Sequence, residues 1–282
     1  MSIKDLLETV ESQDLEKRNV AFDTDGIIFL SAYKYRDEPN NEEVIYADVF
    51  MRIQSIEAEI WKSYAVDKTI LALTSKKNFR HELTDKWKQD RVKNEADMDE
   101  KQLASHREAT KLRNLVSHTK GLLAKRMVSS SNYNVIVNNI AEADDTVLDL
   151  ANSYDYLVVS MDSDVISQCP TPVFNYHKKH WCWVHDGRDE AEIFKSIIYT
   201  TITGGHNGDF GIKGKGKVFA NKFIEQLESG EKGFEDYISL FETNEDCLMN
   251  FQVASCRQII KGSLHLHTIQ YIADGIELIS IF

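Results

Sequence analysis

Tyr156-Leu157-Val158-Val159-Ser160-Met161-Asp162-Ser163-Asp164 is the stretch that decides the fold of this chain. A short apolar run of this kind reads as a strand, and this one ends in two carboxylates. The pattern recurs at Asn19-Val20-Ala21-Phe22-Asp23, a strand closing on Asp23 with Asp25 just beyond, and Tyr133–Val137 is a strand followed by Glu142-Ala143-Asp144-Asp145 at a helix start. Lys68–Leu73 adds another strand, and Val173–Tyr176 with Trp181–Val184 reads as a hairpin around Lys178-Lys179. Between them lie helical signals: an amphipathic run over 3–17, and Val49, Ile53, Ile56, Ile60 and Tyr64 at helical spacing. Ile27–Leu30 fits either a helix or a second extended piece, and Asp37–Glu43 reads as a loop. Helix resumes after 190 and again over 217–228, and the tail from Phe234 alternates helical segments before an extended run, Ile276–Phe282. Alternating strands and helices predict an α/β fold with a central, mostly parallel sheet flanked by helices. Such a sheet gathers the carboxyl ends of its strands, and therefore these acids, along one edge.

The 282 residues, 42% of them hydrophobic, suffice for one large domain and a smaller one. No apolar run approaches the ~20 residues that span a membrane, and the charged N-terminus lacks a leader's apolar core. Cys169, Cys182, Cys247 and Cys256 show no CxxC spacing and read as intracellular thiols, so a cytoplasmic protein is expected. His177, His180 and His185 lack a convincing fourth ligand for zinc. The net charge is −12, but residues 75–126 hold 14 Lys and Arg against 8 Asp and Glu, leaving 19 against 37 for the rest. A basic segment on an acidic body suggests a local polyanion contact; a solvated polar helix pair is the bland alternative. This segment reads as helix, broken near Asn94–Asp99, with too few apolar residues to bury much, so it is expected to project from the body.

Carboxylates gathered at strand ends repel one another unless cations sit between them. Singly, Glu142-Ala143-Asp144-Asp145 and Asp162-Ser163-Asp164 also read as helix starts, where carboxylates cap free N–H groups. Together with Asp23 and Asp209 they point to metal binding, with oxygen ligands suited to Mg²⁺ or Mn²⁺. Two ions about 4 Å apart would suit phosphodiester hydrolysis. Gly205-His206-Asn207-Gly208-Asp209-Phe210-Gly211-Ile212-Lys213-Gly214-Lys215-Gly216-Lys217 lies between helices. It lacks the GK[ST] ending of a Walker loop and fits a helix–hairpin–helix phosphate clamp, with Lys213, Lys215, Lys217 and Lys222 adding charge. A plain glycine-rich surface loop is the alternative. Trp87 reads equally as a base-stacking residue and as packing for the basic segment. Tyr33 and Tyr35 are candidates for a frayed 5′ end, and Trp181 and Trp183 read as core.

In order and spacing these motifs resemble the 5′ nuclease (flap endonuclease) family, PIN-like, especially its bacteriophage exonuclease and RNase H type members, over roughly 20–225. Phe22-Asp23-Thr24-Asp25-Gly26 resembles the first-strand Asp motif. Asn78-Phe79-Arg80-His81-Glu82-Leu83 with Trp87-Lys88-Gln89-Asp90-Arg91 resembles the basic entry to the helical arch. Glu142-Ala143-Asp144-Asp145, the Ser160–Gln168 motif and 205–217 resemble the acidic helix start, the Ser-x-Asp-x-Asp motif and the DNA clamp. The resemblance implies a nuclease core over 1–190 with an arch at about 75–126, and a helical DNA-binding region over 191–282 with a helix–three-turn–helix element. It implies metal-dependent cleavage of DNA, and of RNA primers, at 5′ ends and 5′ flaps during replication. Asp23, Glu142, Asp144, Asp145, Asp162, Asp164 and Asp209 then hold metal, and Lys88 and Arg91 engage the scissile phosphate, Lys88 stabilising transition-state charge. Arg80, Trp87, Lys88, Arg91, Lys213, Lys215, Lys217 and Lys222 would contact DNA. A monomer acting on 5′-ended DNA or RNA–DNA hybrids, with replication proteins as further partners, is the implied arrangement. Two departures stand out: His206 replaces an expected Asp before the clamp, and Thr74 stands where relatives often have an acid. His206 keeps open the alternative of a noncatalytic DNA-structure binder. A toxin-like ribonuclease has no use for the basic arch or the clamp.

Overall fold

The structure, a computed structural model, describes residues 15–38, 41–75, 79–80, 98–127, 133–138, 141–182, 190–204 and 211–255. Residues 3–14 of the helix expected over 3–17 and the extended run Ile276–Phe282 lie outside the described residues, as do most of the arch entry and the first part of the glycine-rich segment; Lys17, at the end of that expected helix, opens a strand instead.

β1 (Lys17–Asp23) runs straight into α1 (Thr24–Tyr35), so Ile27–Leu30 is helical. α2 (Asn41–Ile60), β2 (Ala65–Thr74), α3 (Glu100–Met127) and β3 (Tyr133–Asn138) follow. Then come α4 (Ala143–Tyr154), β4 (Leu157–Val159), α5 (Ser163–Gln168) and the hairpin of β5 (Val173–Asn175) and β6 (His180–Cys182). The six strands form one sheet in the order β3-β2-β1-β4-β5-β6, parallel except for the β5–β6 pair.

Strand alternation explains why the central strands are apolar on both sides. Val20 and Phe22, Leu71 and Leu73, and Leu157 and Val159 face a core shared with Ile28, Ile45, Ile53 and Leu123. Ala21, Ile70, Ala72 and Val158 face the opposite core, with Val147, Leu148 and Val165. The sheet is thus the middle of three layers, and each fully buried Leu, Ile or Phe side chain contributes about 1.5–3 kcal/mol. α6 (Glu190–Thr203), α7 (Lys217–Glu228), α8 (Phe234–Ile238) and α9 (Asn244–Ala254) pack a further core around Ile197, Phe223, Tyr237 and Phe251. None of the described helices is long and apolar enough to cross a membrane.

The basic helix α3 departs from expectation. Thr119 and Leu123 are fully buried, and Leu112, Leu115, Val116 and Ala124 pack against the first core. The apolar residues are few, but they share one face of the C-terminal half, so that half lies against α1 and α2 rather than projecting.

Candidate functional site

The strand order decides where ligands sit. From β1 the chain builds β2 and β3 on one side and then crosses to add β4 on the other. The crevice outside the carboxyl ends of β1 and β4 is therefore a topological switch point, the usual ligand position in open α/β sheets. Phe22 pairs with Val159, so Asp23 on β1 and Ser160 after β4 emerge side by side there.

Asp23 ends β1 and is 4% exposed. Its Oδ2 accepts a hydrogen bond from Ser160 Oγ at 2.9 Å, while its Oδ1 is buried without a hydrogen-bond partner among the described residues. Ser160 Oγ also accepts from the Asp162 N–H at 3.0 Å, tying the β4 turn to β1. Asp162 caps α5, accepting from Asp164 N at 2.8 Å. On the other flank, Glu142 occupies the N-cap of α4, with Asp144 and Asp145 in its first turn. Asp25 is held from both sides: Lys120 Nζ lies 2.7 Å from its Oδ2, and Thr74 N donates to its Oδ1 at 3.3 Å. Thr74 Oγ1 in turn accepts from Ala143 N at 2.8 Å, joining the end of β2 to the start of α4.

The electrostatics report how crowded these acids are. Burial, then repulsion by Asp25, with Asp162 adding to it, push the Asp23 carboxyl up to about 7 against the pull of the Ser160 hydrogen bond. Loss of solvation, then Asp23, Asp162, Glu142 and Asp145, raise Asp144 well above the usual carboxylate range. Asp23, Glu142, Asp144 and Asp162 thus share one electrostatic neighbourhood, although they come from three separate segments.

Asp145 is also at this site, but both of its oxygens are engaged by Arg80. Its oxygens accept from Arg80 Nη1 and Nη2 at 2.7 and 2.6 Å and from Glu142 N at 2.9 Å. Burial raises its carboxyl and the Arg80 charge pulls it back. Arg80, expected to touch DNA, is corrected: it is 1% exposed and also donates to Val253 O and Ser255 O at 3.0 and 3.1 Å. A guanidinium carries five donors in a rigid fork, and here the fork is turned onto protein acceptors. Gln168, at the end of α5, donates to Ala254 O at 3.0 Å, so the last turn of α9 braces both acid-bearing helices.

Asp164 lines a groove of about 430 Å³ between α5, α6 and α7, together with Lys195, Tyr199, Thr200 and Lys217. Lys213, Lys217 and Lys222 are exposed around the turn into α7, and the Lys215 ammonium sits 4.2 Å from the Phe219 ring centre. The turn uses Gly214 at φ +77°, a conformation that other residues adopt only at a cost. Lys88, Arg91, Trp87, Trp183, His206 and Asp209 lie outside the described residues. Trp181 packs edge-on against Tyr64 and Phe174, both at 5.2 Å. Tyr33 is exposed and stacked on Phe29, whereas Tyr35 turns inward to donate to Asp48.

Two participants had no sequence motif to mark them. Tyr176 follows β5 at the same sheet edge; its hydroxyl is buried without a hydrogen-bond partner among the described residues. Burial first, then Asp23, Asp144 and Asp162, push that hydroxyl far above its ordinary value. A side chain at Gly26 would come within 2.3 Å of this hydroxyl, so the close approach of α1 requires glycine. Lys120 is the other: it belongs to a polar helix whose register the sequence left undefined. A polar residue just past a parallel strand was the available signal for Tyr176.

Among the described residues, no three His, Cys, Asp or Glu side chains are already drawn together as a metal cage. The donor set nonetheless fits a hard divalent cation: Asp23 and Asp144, raised first by burial and then by neighbouring acids, are oxygen donors, and one buried Asp23 oxygen has no hydrogen-bond partner among the described residues.

Among solved structures, the chain is similar to the flap endonuclease of bacteriophage T5, in a pseudo-enzyme–product complex with DNA and metal ions. The two share 17% identity, each chain is covered over 92% of its length, and the TM-score is 0.55. The fold is that of the flap endonucleases. The catalytic core of Rad2 in complex with DNA substrate is also similar, at 14% identity, with 99% of this chain and 98% of that one covered and a TM-score of 0.49. No family model matches the sequence, and no curated protein matches it significantly.

Proposed function

We infer that this chain is a metal-dependent nuclease that hydrolyses DNA at 5′ ends and 5′ flaps. The observation that carries it is the shared neighbourhood of Asp23, Glu142, Asp144 and Asp162 by the β1/β4 switch point, with one buried Asp23 oxygen lacking a hydrogen-bond partner among the described residues. These four residues would hold Mg²⁺ or Mn²⁺, with Asp164 and Asp209 as further ligands. When bound, such ions lower the pKa of an attacking water and steady the leaving oxygen.

The chain's own groups do the rest. Ser160 aims the Asp23 carboxylate, and the Arg80–Asp145 fork fixes the first turn of α4, so that Glu142 and Asp144 keep their places. Gly26 leaves room for the buried Tyr176 hydroxyl beside the acids. The positive start of α7 and Lys213, Lys215, Lys217 and Lys222 suit the phosphates of duplex DNA. Lys88 and Arg91, by motif position, would steer the scissile phosphate. RNA primers and a place in replication extend the same proposal.

The test is a 5′-labelled flap duplex. Cleavage is expected with Mg²⁺ or Mn²⁺, stops with EDTA, and falls by orders of magnitude in D162N while flap binding survives. Binding by wild-type protein without a cut under any divalent ion would establish instead the structure-binding protein that His206 keeps in view.

A further inference from the structure

We propose that Lys120 is an internal counter-ion of the acid centre, seated on Asp25 and opposing the entry of a divalent cation. The inference deepens the nuclease reading and rests on it for the cation. Every carboxylate in such a crowd takes a proton, shares a cation or is neutralised by a fixed base. Asp23 has an oxygen free of partners among the described residues. Asp25, two residues on, has neither oxygen free of one.

The seat is built rather than incidental. The Lys120 ammonium lies 2.7 Å from Asp25 Oδ2 and donates to Thr74 O at 3.2 Å, and the Lys120 and Asp25 side chains are 20% and 28% exposed. Thr74 N completes the ring by donating to Asp25 Oδ1 at 3.3 Å. The helix cannot slide away easily, because Thr119 and Leu123 on either side of the lysine are fully buried. The pair also stands against the metal-facing helix, since Thr74 Oγ1 takes the first N–H of α4.

A fixed single positive charge at the rim repels a doubly charged ion and offsets part of the negative charge of Asp25, the carboxylate nearest to Asp23 in the chain. Removing only the lysine leaves an extra negative charge beside the centre, and removing only the aspartate leaves an extra positive one. Removing both restores the balance. A merely structural lysine has no reason to produce opposite signs.

Mn²⁺ binding to purified full-length protein, followed by the paramagnetic resonance of free Mn²⁺, tests this. K120M is expected to bind Mn²⁺ about tenfold tighter than wild type and D25N several-fold weaker, with K120M/D25N near wild type and K120R unchanged. In EDTA, K120M should melt below wild type and gain more from added Mn²⁺. Unchanged or weaker Mn²⁺ binding in K120M overturns the proposal, as does a shift of both single variants in the same direction, or no Mn²⁺ binding by wild type. If K120M does not fold, D25N against the double variant decides: a double variant that binds no tighter than D25N overturns it. Flap cleavage is scored separately. Wild-type protein that binds Mn²⁺ with the expected pattern but never cuts sinks the nuclease reading and leaves the counter-ion standing.

Discussion

Replacing Asp23 with asparagine should stabilise the metal-free protein, and by more as pH rises. The folded state holds this carboxyl at about 7 against an ordinary 3.8, chiefly through burial and then the neighbouring Asp25. Between those values the folded protein binds more protons than the unfolded chain, so stability falls as pH climbs through the window. The interval is roughly three pH units at 1.36 kcal/mol each, so ionising Asp23 in the fold costs about 4 kcal/mol by pH 7. Asparagine carries no charge at any pH, and its amide oxygen can still accept from Ser160. Urea denaturation of wild type and D23N in EDTA, at steps from pH 4 to pH 8, measures the gap. It should be near zero at pH 4 and widen to somewhere between about 1 and 4 kcal/mol at pH 7, since relaxation around a buried charge trims the full value. Added Mg²⁺ should stabilise wild type more than D23N. A gap that stays constant with pH, or D23N less stable at pH 7, would refute the electrostatic account of the cleft.

Arg80→Met leaves the buried Asp145 carboxylate without its cation and should cost about 3–5 kcal/mol, read as a lower urea midpoint. Gly26→Ala forces its new methyl to within 2.3 Å of the Tyr176 hydroxyl, so its melting temperature should drop, and G26A/Y176F should recover much of the loss. Under the nuclease reading, K215A/K217A should weaken duplex binding across sequences and flatten its salt dependence by about one to two log–log units, with catalysis of bound DNA largely kept.

The sheet was legible because its strands are short apolar runs, two of them, β1 and β4, with carboxylates at or just past their ends. Val20 through Asp23 and Leu157 through Val159 announce both the element and the edge at which it stops. Helix 217–228 was equally plain, with Ala220, Phe223 and Leu227 on its buried face. What escaped was partner choice across long separations. Nothing in Asn78–Leu83 distinguishes an arginine aimed at phosphate from one aimed at Asp145, 65 residues away. Lys120 is one of several lysines on a polar helix, and only the burial of Thr119 and Leu123 sets which of them reaches Asp25. Carboxylates at the strand ends were visible, while Ser160 and Thr74, which donate to Asp23 and Asp25, are uncharged and carried no such mark.

Arg80 reaches acceptors 173 and 175 positions further along the chain. During translation at about 5–20 residues per second, roughly 9–35 s pass between making the guanidinium and making its last carbonyl partners. Until then a nascent polypeptide lacks the brace behind its acid helix.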